Sequence, residues 1–527
     1  MNRKLFSRVL LSFLLFVAAC ATPEQQDTPV PSPAVDGSPS TAVTPLPPPS
    51  PPAPTAPAQP TTTPPPTPAP TASPEPTPTL DPAVVGATAS HAHPDYPGMG
   101  NGGYDVRHVS LDLVAGVREA SLDAVATIDL QATQDLRRFS LDFAATEFAG
   151  MVVDELTVNG EPVPFRRSDH DLIVDLPELV AAGTRFQLEV HYHRIPDFSE
   201  PNPFALSGYQ KGWYFNRDGV AVAGEPAGAA SWFPANMDLH DRATYTYRIT
   251  VAKPFVAAAN GVQVDRVDNG ETTTFVWEAR DPLMAYLTTV AIGTFTRVEG
   301  VSSSGVPLRS FFAEGLPAAA VEPFAQTAEM IDAFEQYFGP YPFAVYGAVV
   351  HDNAHGLGGL ETQTLSVFGP QQVASRGEAL VAHELAHQWF GDSVGLADWR
   401  DLWLKEGMAT YAEVLWAEYS RGPDAAQEAV RALAHSSPIR TPSLLRPYSD
   451  PDAFAATYDR GALALHALRL RVGDGPFFTI LRTYYDRFQG KNAGTADFIA
   501  IAEEVSGQTL AGFFFDWLER DTRPRLP

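Results

Sequence analysis

Two histidines four residues apart, His383 and His387, with Glu384 between them and Glu406 nineteen positions further on, constrain this chain more than any other feature. On a helix, residues four apart share one face, so both imidazoles can reach a single ion. Glu384 lies one step round that helix. From there its carboxylate can take a proton from water beside the metal without ligating the metal, as a general base must. Glu406, within Trp403-Leu404-Lys405-Glu406-Gly407, would come from a second helix and complete three protein ligands. Three ligands leave one tetrahedral position open, which suits a catalytic rather than a structural zinc site. Residues 377 to 391 set Leu380, His383, Leu385 and His387 among apolar neighbours, as in a buried helix. The alternative, two core histidines satisfied by backbone groups, leaves Glu406 as an unpaired charge in an apolar helix, and burial penalises that.

With the segments around them, these residues resemble the aminopeptidase N family of zinc metallopeptidases, in the gluzincin clan, where Trp-Leu-x-Glu-Gly follows the His-Glu-x-x-His helix. Gly358-Gly359-Leu360-Glu361-Thr362 resembles the family's Gly-Ala-Met-Glu-Asn motif, and Tyr458-Asp459-Arg460-Gly461 its Tyr-x-Lys-Gly. Tyr337-Phe338-Gly339-Pro340-Tyr341-Pro342-Phe343 and Phe514-Phe515-Asp516-Trp517-Leu518 are also similar to family segments. The resemblance covers roughly residues 100 to 527. It implies one Zn2+ per chain on His383, His387 and Glu406, with Glu384 as the base and the Tyr458 hydroxyl stabilising the oxyanion. It also implies that Glu361 grips the free amino group of a substrate, with Glu225 of Gly224-Glu225-Pro226 as a second carboxylate. Gly358 and Gly359 would let the backbone approach the ligand closely. The Met and Asn of the exopeptidase motif are replaced here, and Arg460 keeps the charge of the family's lysine.

Plainer roles compete for several of these residues. Glu361 could be a surface glutamate at a strand end, and Tyr458, ahead of an Ala/Leu-rich helix from Gly461 to Leu470, a packing residue. Asp401 either orients a ligand histidine or is an acid at a helix N-terminus. His351, His355 and His466 lack ligand spacing and read as structural or solvated.

The amino terminus concerns location. Arg3, Lys4 and Arg8 precede an apolar run from Val9 to Val17, the layout of a secretory signal and too short to span a bilayer. Val17-Ala18-Ala19-Cys20 resembles the bacterial lipobox, so residues 1–19 are expected to be a lipoprotein signal peptide and Cys20 the lipidated residue. Cys20 is the sole cysteine, so no internal disulfide can form. The implied location is outside the cytoplasm, anchored to a bacterial membrane. Residues 22 to 82 hold 23 of the 49 prolines, and no Lys or Arg falls between Arg8 and Arg107. Such a segment buries too little apolar surface to fold, so residues 20–100 read as a tether, of which residues 22 to 82 alone reach up to about 190 Å when extended. His91-Ala92-His93 reads as solvated linker.

Organisation changes near residue 300. From Tyr104 to Val298 apolar and polar residues alternate in short runs, with hairpin signals at Asn159-Gly160 and Asn269-Gly270. Beyond a short strand-rich entry, helical periods take over at Ala319 to Tyr337, the histidine helix, the Glu406 helix and Thr495 to Val505, the last opening on a Thr cap. The expectation is an α+β multidomain chain: an all-β domain at 101–300, then a mainly helical catalytic domain at 301–527. The resemblance makes the first a saddle-like sheet and the second thermolysin-like. Full-length members carry further domains, and a chain stopping at Pro527 is expected to lack their helical lid.

A net charge of -26 argues against nucleic acid, which needs a basic face. The same field favours cationic amino termini. The reading is therefore a lipid-anchored zinc aminopeptidase acting on peptides with a free N-terminus at the cell surface. Its rivals are a zinc endopeptidase of the same clan, which has no need of Glu361, and a non-catalytic peptide-binding surface lipoprotein, which needs neither Glu384 nor Tyr458. Oligomeric state is not legible.

Overall fold

Strand alternation built the first half as expected. In the computed structural model, which describes residues 84–86, 93–94, 98–168, 170–195, 212–216, 218–354, 357–449 and 451–526, Tyr104–Gly116 turns one set of side chains into the core and the other outward. It lies within an eight-stranded sheet, paired in parallel with Arg242–Ala252 and antiparallel with Ser121–Ala132. Asn159-Gly160 turns the chain between Met151–Val158 and Glu161–Pro162 with both residues at positive φ, 52° and 83°, as a type I′ hairpin requires. Residues 1–19, Cys20, His91, His355 and nearly all of the tether lie outside the described residues.

Two expectations at the domain edges need correcting. The folded part begins ahead of residue 101: Val85 bridges Arg138, and the Gly86 N–H donates to the Arg138 carbonyl at 2.9 Å. His93 is not solvated. Its ring is buried against Tyr448 and Trp399, at centroid distances of 4.0 and 4.9 Å, and burial pushes its pKa down to about 3. Near residue 300 the strand Phe295–Val301 runs across the expected boundary and forms a hairpin with Pro307–Ala313. That hairpin extends a sheet whose other strands are Ala348–Val350, Ser366–Phe368 and Gly359–Leu360, so strand pairing continues into the second half.

Helices then dominate, with shifted ends. The expected helix at Ala319 to Tyr337 is two 3-10 turns, Ala318–Ala320 and Glu322–Gln326, ahead of an α-helix at Thr327–Phe338, since Pro323 interrupts the pattern. The histidine helix, Glu378–Ala386, ends as His387 begins a turn. The Glu406 helix spans Leu402–Arg421. The helix bearing Tyr458 starts at Pro451 and runs to Val472, so Tyr458 stands within it rather than ahead of it. Thr495 does not cap its helix: Gly494 holds that position and its N–H donates to Asp497 at 2.9 Å, while the Thr495 hydroxyl donates to Asp401.

The Glu406 and Tyr458 helices cross where the two motif glycines meet. A Cβ on Gly407 would fall 2.9 Å from backbone atoms of Gly461, and one on Gly461 would fall 3.0 Å from the Gly407 Cα. The backbones therefore touch, and no side chain fits between them. Gly407→Ala should gain up to about 1 kcal/mol of helix propensity. It should lose more, about 1–3 kcal/mol, to overpacking. The net expectation is a lower melting temperature together with reduced kcat; a melting temperature at or above wild type would mean the helices separate without cost.

Candidate active site

The histidine helix and the Glu406 helix bring three donors together. The Nε2 atoms of His383 and His387 each lie 3.5 Å from Glu406 Oε2, and all three side chains are buried. Two ligands at about 2.1 Å from a tetrahedral zinc stand roughly 3.4 Å apart, so the donor set already has the required spacing. Its electrostatics also call for a cation. Against the burial that disfavours charge, Glu406 and Glu413 raise His383 to about 10, and Glu361 and Glu406 raise His387. Zn2+ fits these residues by number, type and distance.

The rings are oriented from behind by groups the sequence reading missed. His383 Nδ1 lies 2.9 Å from Glu413, which also accepts from Arg376 at 2.7 Å, and His387 Nδ1 lies 3.1 Å from the Phe390 carbonyl. Glu413 was legible. It stands seven residues after Glu406, two turns along the same helix face. Asp401, weighed for this role, does something else: it accepts the Thr495 N–H and hydroxyl at 2.9 and 2.7 Å, tying the Thr495–Ser506 helix to the start of the Glu406 helix.

Glu384 faces the same space. Burial raises its pKa to about 7, despite the neighbouring His383 and His387, so the carboxylate has the basicity of a proton acceptor at neutral pH. It fits there only because residue 359 is glycine; a Cβ would fall 2.2 Å from its Oε1. Gly358, by contrast, faces open space. The Tyr458 ring lies nearly parallel to the His383 imidazole, 6.0 Å between centroids. Burial and the nearby Glu406 keep its hydroxyl protonated and thus a donor. Arg460 serves the scaffold instead. Its buried guanidinium donates to the carbonyls of Trp517 and Arg520 and to the Thr441 hydroxyl, at 2.6 to 2.8 Å, fastening the 515–520 segment to the Tyr458 helix.

Glu361 and Glu225 do converge beside the metal donors. Carboxylate oxygens of Glu361 and Glu384 and a His387 ring nitrogen all lie within 4.8 Å of one another. Gln388 fixes the loop that carries Glu361, donating to the Glu361 carbonyl at 3.0 Å and accepting the Thr364 N–H at 2.8 Å. Between the two carboxylates sits Lys405, its Nζ 2.5 Å from each. Burial and the adjacent Glu361 push Glu225 up to about 8, whereas Lys405 and His387 overcome burial to hold Glu361 below its ordinary value. His351 and His466 are structural, as expected: His351 is buried edge-on to Phe295, and His466 Nδ1 is 3.2 Å from the Tyr411 hydroxyl.

Glu413→Ala should weaken zinc binding about 10- to 100-fold, the usual effect of removing a ligand's supporting carboxylate. Competition with a chelator reads this directly, and undiminished retention would reject the role.

Comparison with known proteins matches residues 104–287 to the peptidase M1 N-terminal domain and residues 322–517 to the peptidase family M1 domain. A crystal structure of an M1 zinc metallopeptidase mutant from Deinococcus radiodurans, bound to a Tyr-Ser-Ala substrate, superposes with a TM-score of 0.73 at 33% identity, covering 82% of this chain and 98% of that one. Aminopeptidase M1-B of Oryza sativa subsp. japonica is 28% identical over 72% of this chain and 47% of its own length. Human glutamyl aminopeptidase is 28% identical over 58% of this chain and 34% of its own. The chain thus spans about half or less of those two relatives, but nearly all of the Deinococcus protein. With both family domains matched in order around one zinc-competent donor set, the chain belongs to peptidase family M1, the zinc metallopeptidases.

Proposed function

We propose that this chain is an aminopeptidase that removes amino-terminal residues from peptides outside the cytoplasmic membrane of a bacterium, held there by a lipid on Cys20. The observation that carries the exopeptidase reading is the pair Glu361 and Glu225, which already hold a primary ammonium, that of Lys405, beside the metal donors. A peptide's amino terminus offers the same head group. The location rests on the charged and apolar leader and on Val17-Ala18-Ala19-Cys20. Among the described residues no helix is long and apolar enough to cross a membrane, so a lipid would supply the attachment.

His383, His387 and Glu406 would hold zinc, which when bound would supply Lewis acidity to a carbonyl oxygen and to water. The protein's own groups do the rest. Glu384 takes the proton from the attacking water and returns it to the leaving amine. Tyr458 donates to the oxygen that gains charge as the carbonyl becomes tetrahedral. Glu361, seconded by Glu225, fixes the ammonium one residue from the scissile bond, which makes the cut an exopeptidase cut.

Glu384→Gln should abolish turnover and leave zinc content unchanged, as metal analysis beside a peptide assay would show; loss of metal in parallel would make Glu384 a ligand instead. Wild type should strongly prefer a free-amine peptide to its N-acetyl form. Glu361→Ala should shrink that preference, because both changes delete the same charge-assisted bond. Equal cleavage of both peptides by wild type would turn the reading to an endopeptidase.

A further inference from the structure

Lys405 presents a question that the zinc chemistry does not answer. Its side chain is completely buried, one residue before the metal-donating Glu406, and its Nζ lies 2.5 Å from Glu225 Oε1, 2.5 Å from Glu361 Oε1 and 3.4 Å from Glu406 Oε1. The Tyr286 ring packs against the same ammonium, 5.6 Å from its centroid. A lysine head group is a primary ammonium, chemically the group a peptide presents at its amino terminus. Enclosed this way, it cannot retreat into solvent when a substrate arrives.

Charge gives the consequence. Lys405 sets a positive charge between Glu225 and Glu361, so an incoming ammonium meets carboxyl groups that a resident cation already partly neutralises. Lys405 also occupies Oε1 of each carboxylate, leaving Oε2 of each as the acceptor that a second ammonium meets. Like charges at this range repel, and repulsion is strong where water is excluded.

We propose that Lys405 is a built-in competitor for the amine subsite and sets how tightly this enzyme holds an amino terminus. It acts on substrate and product alike. A released amino acid carries the same ammonium as the peptide it came from, so a resident cation that weakens both also speeds product departure. This inference rests on the aminopeptidase reading above.

Lys405→Gln removes the charge at similar length. Steady-state kinetics with Ala-Ala-Ala, N-acetyl-Ala-Ala-Ala and free L-alanine as inhibitor test the idea, with zinc content measured for each protein. KM for the free-amine peptide and the inhibition constant of L-alanine should both fall about five- to tenfold, the scale of one charge-assisted contact. KM for the acetylated peptide should not change. A KM and inhibition constant that stay level or rise would overturn the proposal and leave Lys405 as a strut between two glutamates. Lys405→Arg keeps a buried cation and tests the point even where the neutral variant fails to fold: its forked head group can engage both carboxylates at once. The L-alanine inhibition constant should then rise several-fold, and an unchanged value would equally reject the proposal. Wild type without a free-amine preference would sink the aminopeptidase reading itself; a clear preference with no response at position 405 would sink only this inference.

Discussion

The contact between Gly407 and Gly461 is the constraint on which the site depends. Glu406 stands one residue before one glycine, and Tyr458 lies three residues before the other. With the two backbones touching, the Glu406 carboxylate and the Tyr458 ring have only one relative placement. The histidine helix is then aligned through Glu413, which stands two turns beyond Glu406 and reaches His383 Nδ1. The metal-competent Glu406, the Glu413 carboxylate behind His383 and the Tyr458 ring are thus all referred to one crossing point. Both glycines close their motifs, Trp-Leu-x-Glu-Gly and Tyr-x-Arg-Gly, and packing explains why neither is any other residue.

Around that crossing the interior contains an unusual density of charge. Glu225, Glu361, Glu384, Glu406 and Glu413 gather about His383, His387 and Lys405. Isolated buried carboxylates would simply take up protons. Here each faces a cation or the place for one, so the group is stable only as a set, and zinc is one of its charge-balancing members. The same cluster raises Glu384 and Glu225, where burial dominates, and lowers Glu361, where Lys405 and His387 together outweigh burial.

That His383 and His387 share a face, and that strands precede helices, was legible because these features follow periodicities of four and two along the chain; the convergence of Glu406 on them came from its motif. Glu413 obeys the helical period from Glu406, but a lone glutamate two turns along a helix carries no motif of its own. Lys405 was not legible. Its neighbour in sequence is a metal ligand, but its partners come from positions 225 and 361, and no local pattern reports a contact across 180 residues. Arg460 keeps the charge of the lysine in the family's Tyr-x-Lys-Gly motif, yet it faces the carbonyls of Trp517 and Arg520. His93 sat in a proline-rich stretch whose composition said linker; three aromatic rings packed together decided otherwise.

Gln388 has a consequence for step length. One amide holds both sides of the Glu361 loop and stands next to His387 in sequence, so on the proposed reading the carboxylate that would read the end of a peptide is tied to the helix that would hold the metal. On the proposed aminopeptidase reading, a change from removing one residue to removing two would require a different loop, anchored somewhere other than on the histidine helix.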